Sequence, residues 1–174
     1  MKRVKGFTLI ELMVTIAIAA ILVSIALPSF RNLIVSNRLN TLATEMVDVV
    51  SFARSESVKR NSPVVFCRVA SATATVCDPG SSLWAHWVIL AGTDMIRRGE
   101  MNSHNSTIKV SSDLTSDEVV FGGDGLARSG GAIVSESGSE ISICSTSGPS
   151  ESIINVTFGA ASRVSTNKVA GTCP

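Results

Sequence analysis

Charge is scarce in this 174-residue chain: only 17% of residues are charged, against 45% hydrophobic. That balance excludes an intrinsically disordered chain. No single sign dominates either. Fifteen Lys and Arg face fourteen Asp and Glu, a formal charge of +1, so the bulk basic field that grips nucleic acid is missing. Lys2, Arg3 and Lys5 carry that small excess; without the first six residues, 12 basic side chains face 14 acidic ones, a balance of −2. Among the four cysteines no CxxC pair occurs, so neither pair has the clustered spacing of a zinc site and the cysteines suit disulfides better. His86 and His104 are the only histidines. A serine or cysteine nucleophile needs a base within reach, and neither a glycine-flanked nucleophile nor a phosphate-cradling loop is present. The chain is not expected to be an enzyme, and no cofactor or metal is expected. There are no internal repeats. A second long apolar run is also lacking, which excludes a multi-pass membrane protein.

What the chain does have is one such run. Mean hydropathy is +0.35, and the excess lies in residues 7–27, 21 positions whose only charge is Glu11. As a helix rising ~1.5 Å per residue, this stretch matches the ~30 Å hydrocarbon core of a bilayer. The basic residues before it would stay cytoplasmic, and residues 29–174 would lie outside. A secretory signal fits poorly, because no A-x-A-like site follows a short apolar core. A plain anchor explains length and orientation but not Glu11, since an acid at the centre of a bilayer costs about 3 kcal/mol on insertion scales.

The octapeptide Lys5-Gly6-Phe7-Thr8-Leu9-Ile10-Glu11-Leu12 resembles the type IV prepilin signature. The resemblance implies cleavage after Gly6 by a prepilin peptidase, N-methylation of the new N-terminal Phe7, and retention of the apolar helix. Glu11 then stands four residues beyond the new amine. A carboxylate–ammonium pair within or between subunits would offset the desolvation of both charges and set the axial register, because an unpaired buried charge costs far more than a paired one.

Pro28 tends to kink or loosen a helix, and beyond it the pattern becomes amphipathic. Val35, Leu39, Leu42, Met46, Val49 and Ala53 recur every three or four residues, a stripe suited to packing on a folded head, while Arg31, Arg38, Glu45, Asp48 and Arg54 mostly avoid it. Pro63 forbids continuation past Asn61. Thereafter short β-branched runs at 64–69, 73–76, 84–90, 107–110, 118–121, 132–135, 140–144 and 153–158 are separated by Gly, Ser, Asp and Pro. With no βαβ alternation, the expected fold class is α+β: a long N-terminal helix, membrane-spanning in its first half and amphipathic in its second, packed on an antiparallel β-sheet head. Residues 135–152 contain eight serines and are expected to form mobile hairpin turns.

Three segments, Ala53-Arg-Ser-Glu-Ser-Val-Lys-Arg-Asn61 continuing to Cys67, Leu83-Trp-Ala-His-Trp87, and Val119-Val-Phe-Gly-Gly-Asp-Gly125, together resemble the GspH/FimT group of minor pilins and pseudopilins, which includes FimU. His86 stands where that group is expected to carry glycine. The resemblance implies a pilin-like organisation: a cleaved leader at 1–6, a filament-core helix at 7–28, and a periplasmic head at 29–174 with an amphipathic helix at 29–61 and a β-rich part at 62–174. It implies a minor type IV pilin that helps prime assembly and is incorporated at or near the pilus tip. Its partners would be the prepilin peptidase, other minor pilins, the major pilin and the inner membrane, with the N-terminus cytoplasmic before the subunit passes to the surface pilus. Two alternatives share this architecture: a type II secretion pseudopilin, and a FimT-like DNA-uptake pilin. For the latter, the Gly-Arg-x-Arg motif of FimT corresponds to Ser162-Arg163-Val164-Ser165, so Arg163 alone remains as a possible DNA contact and nucleic acid is not an expected partner.

Four cysteines permit three pairings. Cys67–Cys77 with Cys144–Cys173 is the simplest, each bridge closing a local loop, worth roughly 3 and 3.5 kcal/mol on chain-entropy grounds.

Overall fold

In a computed structural model, residues 7–80, 83–101, 107–134, 139–147 and 153–173 are described. One helix, α1 (Leu9–Arg60), runs for 52 residues, or ~78 Å at the α-helical rise. It passes through Pro28 as a single helical element. Its end is set by Asn61, in the left-handed conformation (φ 48°), whose N–H bonds back to the Ser57 and Val58 carbonyls. This left-handed cap satisfies carbonyls that the last turn leaves open.

Among the described residues ten strands follow in two antiparallel sheets. The first has the order β3 (Asp94–Glu100), β2 (His86–Ala91), β1 (Val64–Val69), β5 (Glu118–Phe121), β6 (Ala127–Ser129), β7 (Ala132–Ile133); the second has β10 (Arg163–Val169), β9 (Ile153–Gly159), β8 (Glu140–Ser145), β4 (Ile108–Ser112). This is the expected long helix packed on an antiparallel β head; the strands of that head divide between two sheets, a detail that strand runs alone do not reveal because they do not show where neighbours change partner. From α1, Leu39, Ala43, Met46, Val49, Val50 and Ala53 are buried, while Val35 and Leu42 of the anticipated stripe are half-buried. They meet Phe66, Phe121, Ile141, Ile143, Val156 and Phe158 from both sheets. Burying side chains of this size is worth ~1.5–3 kcal/mol each.

Three strands lie where no apolar run was visible: β3, β6 and β10. Conversely, the run at 73–76 is not a strand. It belongs to a loop closed by the Cys67–Cys77 disulfide and turned by an Ala74 N–H to Ser71 carbonyl bond of 3.1 Å, and Val76 is 73% exposed. β-Branching favours a pleated surface only where a partner strand offers one. A second disulfide joins Cys144 on β8 to Cys173. Within the serine-rich stretch, 140–145 is β8; 135–138 and 148–152 lie outside the described residues.

Candidate assembly site

The N-terminal half of α1 is a row of unburied apolar side chains. Phe7 is 84% exposed, and Leu9, Ile10, Met13, Ile16, Ile21, Leu22 and Ile25 are all exposed. The most apolar window of the helix, with a mean hydropathy of 2.6, has none of its residues buried, so length and composition suffice to cross a membrane. Two hydroxyls in this stretch are satisfied internally: Thr15 and Ser24 donate to the carbonyls of Leu12 and Ile21 at 2.8 and 2.7 Å. Such back-bonding lets these two hydroxyls sit in a hydrocarbon environment without an orphan donor.

Glu11 serves the start of the helix. Thr8 is the N-cap: its Oγ1 accepts the Glu11 N–H at 3.3 Å, and the Glu11 carboxylate accepts the Thr8 N–H at 3.5 Å. This reciprocal capping box satisfies two of the four amides a helix start leaves open. The carboxylate is thereby folded toward the chain's own N-terminal end, the side on which a new amine at Phe7 would stand. Thr8 was legible in principle, since Thr-x-x-Glu before an apolar run is itself a capping signal. Gly6 lies outside the described residues, as does His104.

The three sequence segments that resemble the pilin group have distinct structural jobs. From the first, Arg54 reaches across the head and donates to the carbonyls of Ala161 and Ser162 at 3.1 and 3.0 Å, holding a turn whose two residues both have positive φ. Glu56 accepts from Arg60 at 2.8 Å and from Lys59 at 3.4 Å, and the Arg60 hydrogen bond, aided by Lys59, keeps its carboxyl below the usual range. In the second, Trp84 and Trp87 are buried against Phe66. His86 opens β2 opposite Val69 and Glu100, so the extra side chain sits on a strand and no turn interrupts the segment. In the third, a Cβ on Gly123 would lie 2.9 Å from the Asn61 backbone; the glycine lets the β5–β6 turn press on the helix end. There Asp124 grips Arg128 at 2.6 Å, and that hydrogen bond holds the Asp124 carboxyl well below the usual carboxylate range.

One buried polar cluster gives no sequence signal. Arg68 is 4% and Asp117 8% exposed, paired at 3.2 Å, with Trp84 Nε1 donating to the same carboxylate at 3.2 Å and Ser112 Oγ adding a third contact. Arg68 also donates to the Asp78 carbonyl at 2.7 Å, just past Cys77. Forty-nine residues separate Arg68 from Asp117, too far for any local pattern.

Arg163 is exposed at the start of β10 and lines a groove with Arg54, Val58, Lys59 and Val164. The adjacent cations Arg97 and Arg98 are engaged within the fold. Arg97 lies over the rings of Phe52 and Trp87, and Arg98 donates to the Ala72 carbonyl at 2.8 Å.

Comparison with known proteins agrees with this layout. Residues 1–27 match the prokaryotic N-terminal methylation motif. The crystal structure of the Pseudomonas aeruginosa PAO1 type IV minor pilin FimU in space group P21 superposes with a TM-score of 0.54 at 17% identity, covering 76% of this chain and 90% of that one. The same protein in space group P65 gives 0.51 at 16% identity, covering 74% and 91%. At such identity the likeness establishes the fold alone. No curated protein sequence matches the chain. Residues 42–162, more than half its length, match the type II transport protein GspH model. Its signature, helix and head thus make this chain a member of the GspH family, with a prepilin-type N-terminus and the pilin fold.

Proposed function

We propose that the chain is a minor type IV pilin that helps prime pilus assembly in the inner membrane and is then incorporated at or near the pilus tip. In this reading residues 1–6 are a leader removed by the prepilin peptidase, leaving a methylated Phe7; residues 7–28 anchor the subunit and then enter the filament core; the head beyond residue 29 is periplasmic until export. The observation that carries the reading is the asymmetry of α1. One face of its second half is buried against a closed head, while its first half presents apolar side chains all round with no covering from its own chain. Such a helix needs lipid first and other helices afterwards. Glu11 supplies register: once the helix leaves lipid for a filament, its carboxylate meets an N-terminal amine of its own or a neighbouring subunit, which offsets the cost of burying both.

The test is a clean deletion complemented by variants. Deletion should reduce surface pili without changing the amount of major pilin made; the wild-type gene restores them; Glu11→Ala is inserted and cleaved but recovered poorly in sheared pili. Normal piliation in the deletion strain argues against the reading, and normal incorporation of Glu11→Ala removes the charge-pair role. A second reading, a minor pseudopilin of a type II secretion system, draws on the family description matched by residues 42–162. Pilus-assembly genes beside this one support the first reading, secretion genes the second.

A further inference from the structure

We infer that the free edge of β10 docks an extended, acidic strand from a neighbouring pilin subunit. The inference rests on the pilin reading above and adds to it a surface and a partner chemistry. A sheet edge offers a row of unpaired N–H and C=O groups and invites a further strand unless something blocks it. Among the described residues the two sheets end in four edges, and three are blocked. β7 is two residues long. β4 is overlaid by the segment before β2, whose Trp84 N–H bonds the Val110 carbonyl at 2.7 Å. β3 carries four charges of both signs in seven residues, Asp94, Arg97, Arg98 and Glu100, and Arg98 ties it to the disulfide-closed loop through Ala72.

β10 is neither short, overlaid nor tied to a loop, and the two charges it carries, Arg163 and Lys168, are of one sign, so they repel a like-charged strand and admit an acidic one. The seven residues of β10 pair with β9 in continuous register from Arg163↔Gly159 to Val169↔Ile153, with no bulge, proline or glycine, and among the described residues no strand lies on its other side. Its backbone start is fixed by the Arg54 clamp on Ala161 and Ser162, so the edge is preorganised and binding a strand costs little ordering. The charge on this edge is of one sign: Arg163 and Lys168, with no acid between them. Beside it, a groove between the strand and α1 sets half-buried Val164 and Val58, 53% exposed, among Arg163, Lys59 and Arg54. The incoming strand is therefore expected to place an apolar side chain between the two valines and carboxylates toward Arg163 and Lys59. Main-chain hydrogen bonds would supply affinity, the groove specificity, and the charges orientation and on-rate.

Hydrogen–deuterium exchange on the full-length chain in detergent, alone and co-purified with each pilin encoded in its gene cluster, tests this. In the complex, amides of 163–169 should exchange about tenfold slower or more, as expected of amides newly locked in a ladder. The double variant Arg163→Glu/Lys168→Glu should weaken the complex by about tenfold. Val58→Asp should weaken it too, while exchange in β8 and β9 of both uncomplexed variants matches wild type, showing an intact head. A complex that forms with 163–169 exchanging as in the free chain, or with protection on β3 instead, overturns the inference and leaves the pilin reading standing. Failure to bind any of these pilins removes both. Protection of 163–169 by a short DNA duplex, with none from the pilins, overturns strand docking in favour of an anionic-polymer site.

Discussion

Asp117 is the shared acceptor of a buried polar cluster in the head. It accepts from Arg68, Trp84 and Ser112, and it joins β1, the segment before β2, and the end of β4. Asp117→Ala leaves the Arg68 guanidinium buried with only the partly exposed Asp78 opposite it. Removing one partner of a buried pair typically costs about 3–5 kcal/mol, and the urea midpoint followed by circular dichroism should fall accordingly; an unchanged midpoint would show that Asp78 suffices. Asp124 gives a pH signature instead. Its carboxyl is held below the ordinary 3.8 by Arg128, so the unfolded chain binds that proton more readily than the folded one. The resulting stability is fully present above the ordinary value and is lost as pH falls toward the depressed one. The urea midpoint of the wild type should therefore drop between about pH 5 and pH 3, and Asp124→Asn should flatten part of that drop; an identical profile for the variant would discount the clamp. At this scale, legibility follows distance along the chain. Glu11 stood out because a charge in an apolar run is costly wherever the fold places it. Arg68 and Asp117 could not be matched, since they stand 49 positions apart and the chain between them carries no periodic trace of the contact.

The long elements that bury a face were legible, and the edge strands β3 and β10 were missed. The apolar run and the three-to-four-residue stripe mark both halves of α1, and Pro63 marks its end. β5 is the run expected at 118–121 because Val119 and Phe121 alternate inward. β3 and β10 escaped because edge strands keep most side chains in solvent and so lose the alternation that identifies a strand. The run at 73–76 misled for the opposite reason: β-branched residues sit in a loop held by covalent closure. Disulfides matter most where elements are scarce. After β10 the chain through Cys173 has no secondary structure, and its anchors are the bond to Cys144 and the approach of Gly171 to Ile153. Replacing Cys144 and Cys173 together with serine should cost about 3–4 kcal/mol for a 29-residue closure. Thermal unfolding read by circular dichroism checks the loss; a midpoint within a degree of wild type would mean that the tail contributes nothing to the head.

The molecule as a whole divides its hydrophobic surface unequally. The head closes its core with Met46, Val50, Phe66, Phe121 and Phe158 almost wholly covered. The helix that emerges from it leaves every large side chain from Phe7 to Leu33 exposed or close to it. A soluble protein could not carry that much bare apolar surface, and in a simple anchor the Glu11 carboxylate, beyond capping the helix start at Thr8, would add only an insertion cost. Both features become favourable if the helix is kept, its front end is trimmed to expose an amine, and subunits later stack helix on helix. The most direct test is intact and N-terminal peptide mass spectrometry of the protein purified from its own cells. The account predicts a chain beginning at N-methylated Phe7 with residues 7–28 retained. A chain still beginning at Met1, or one lacking the apolar helix altogether, would contradict it.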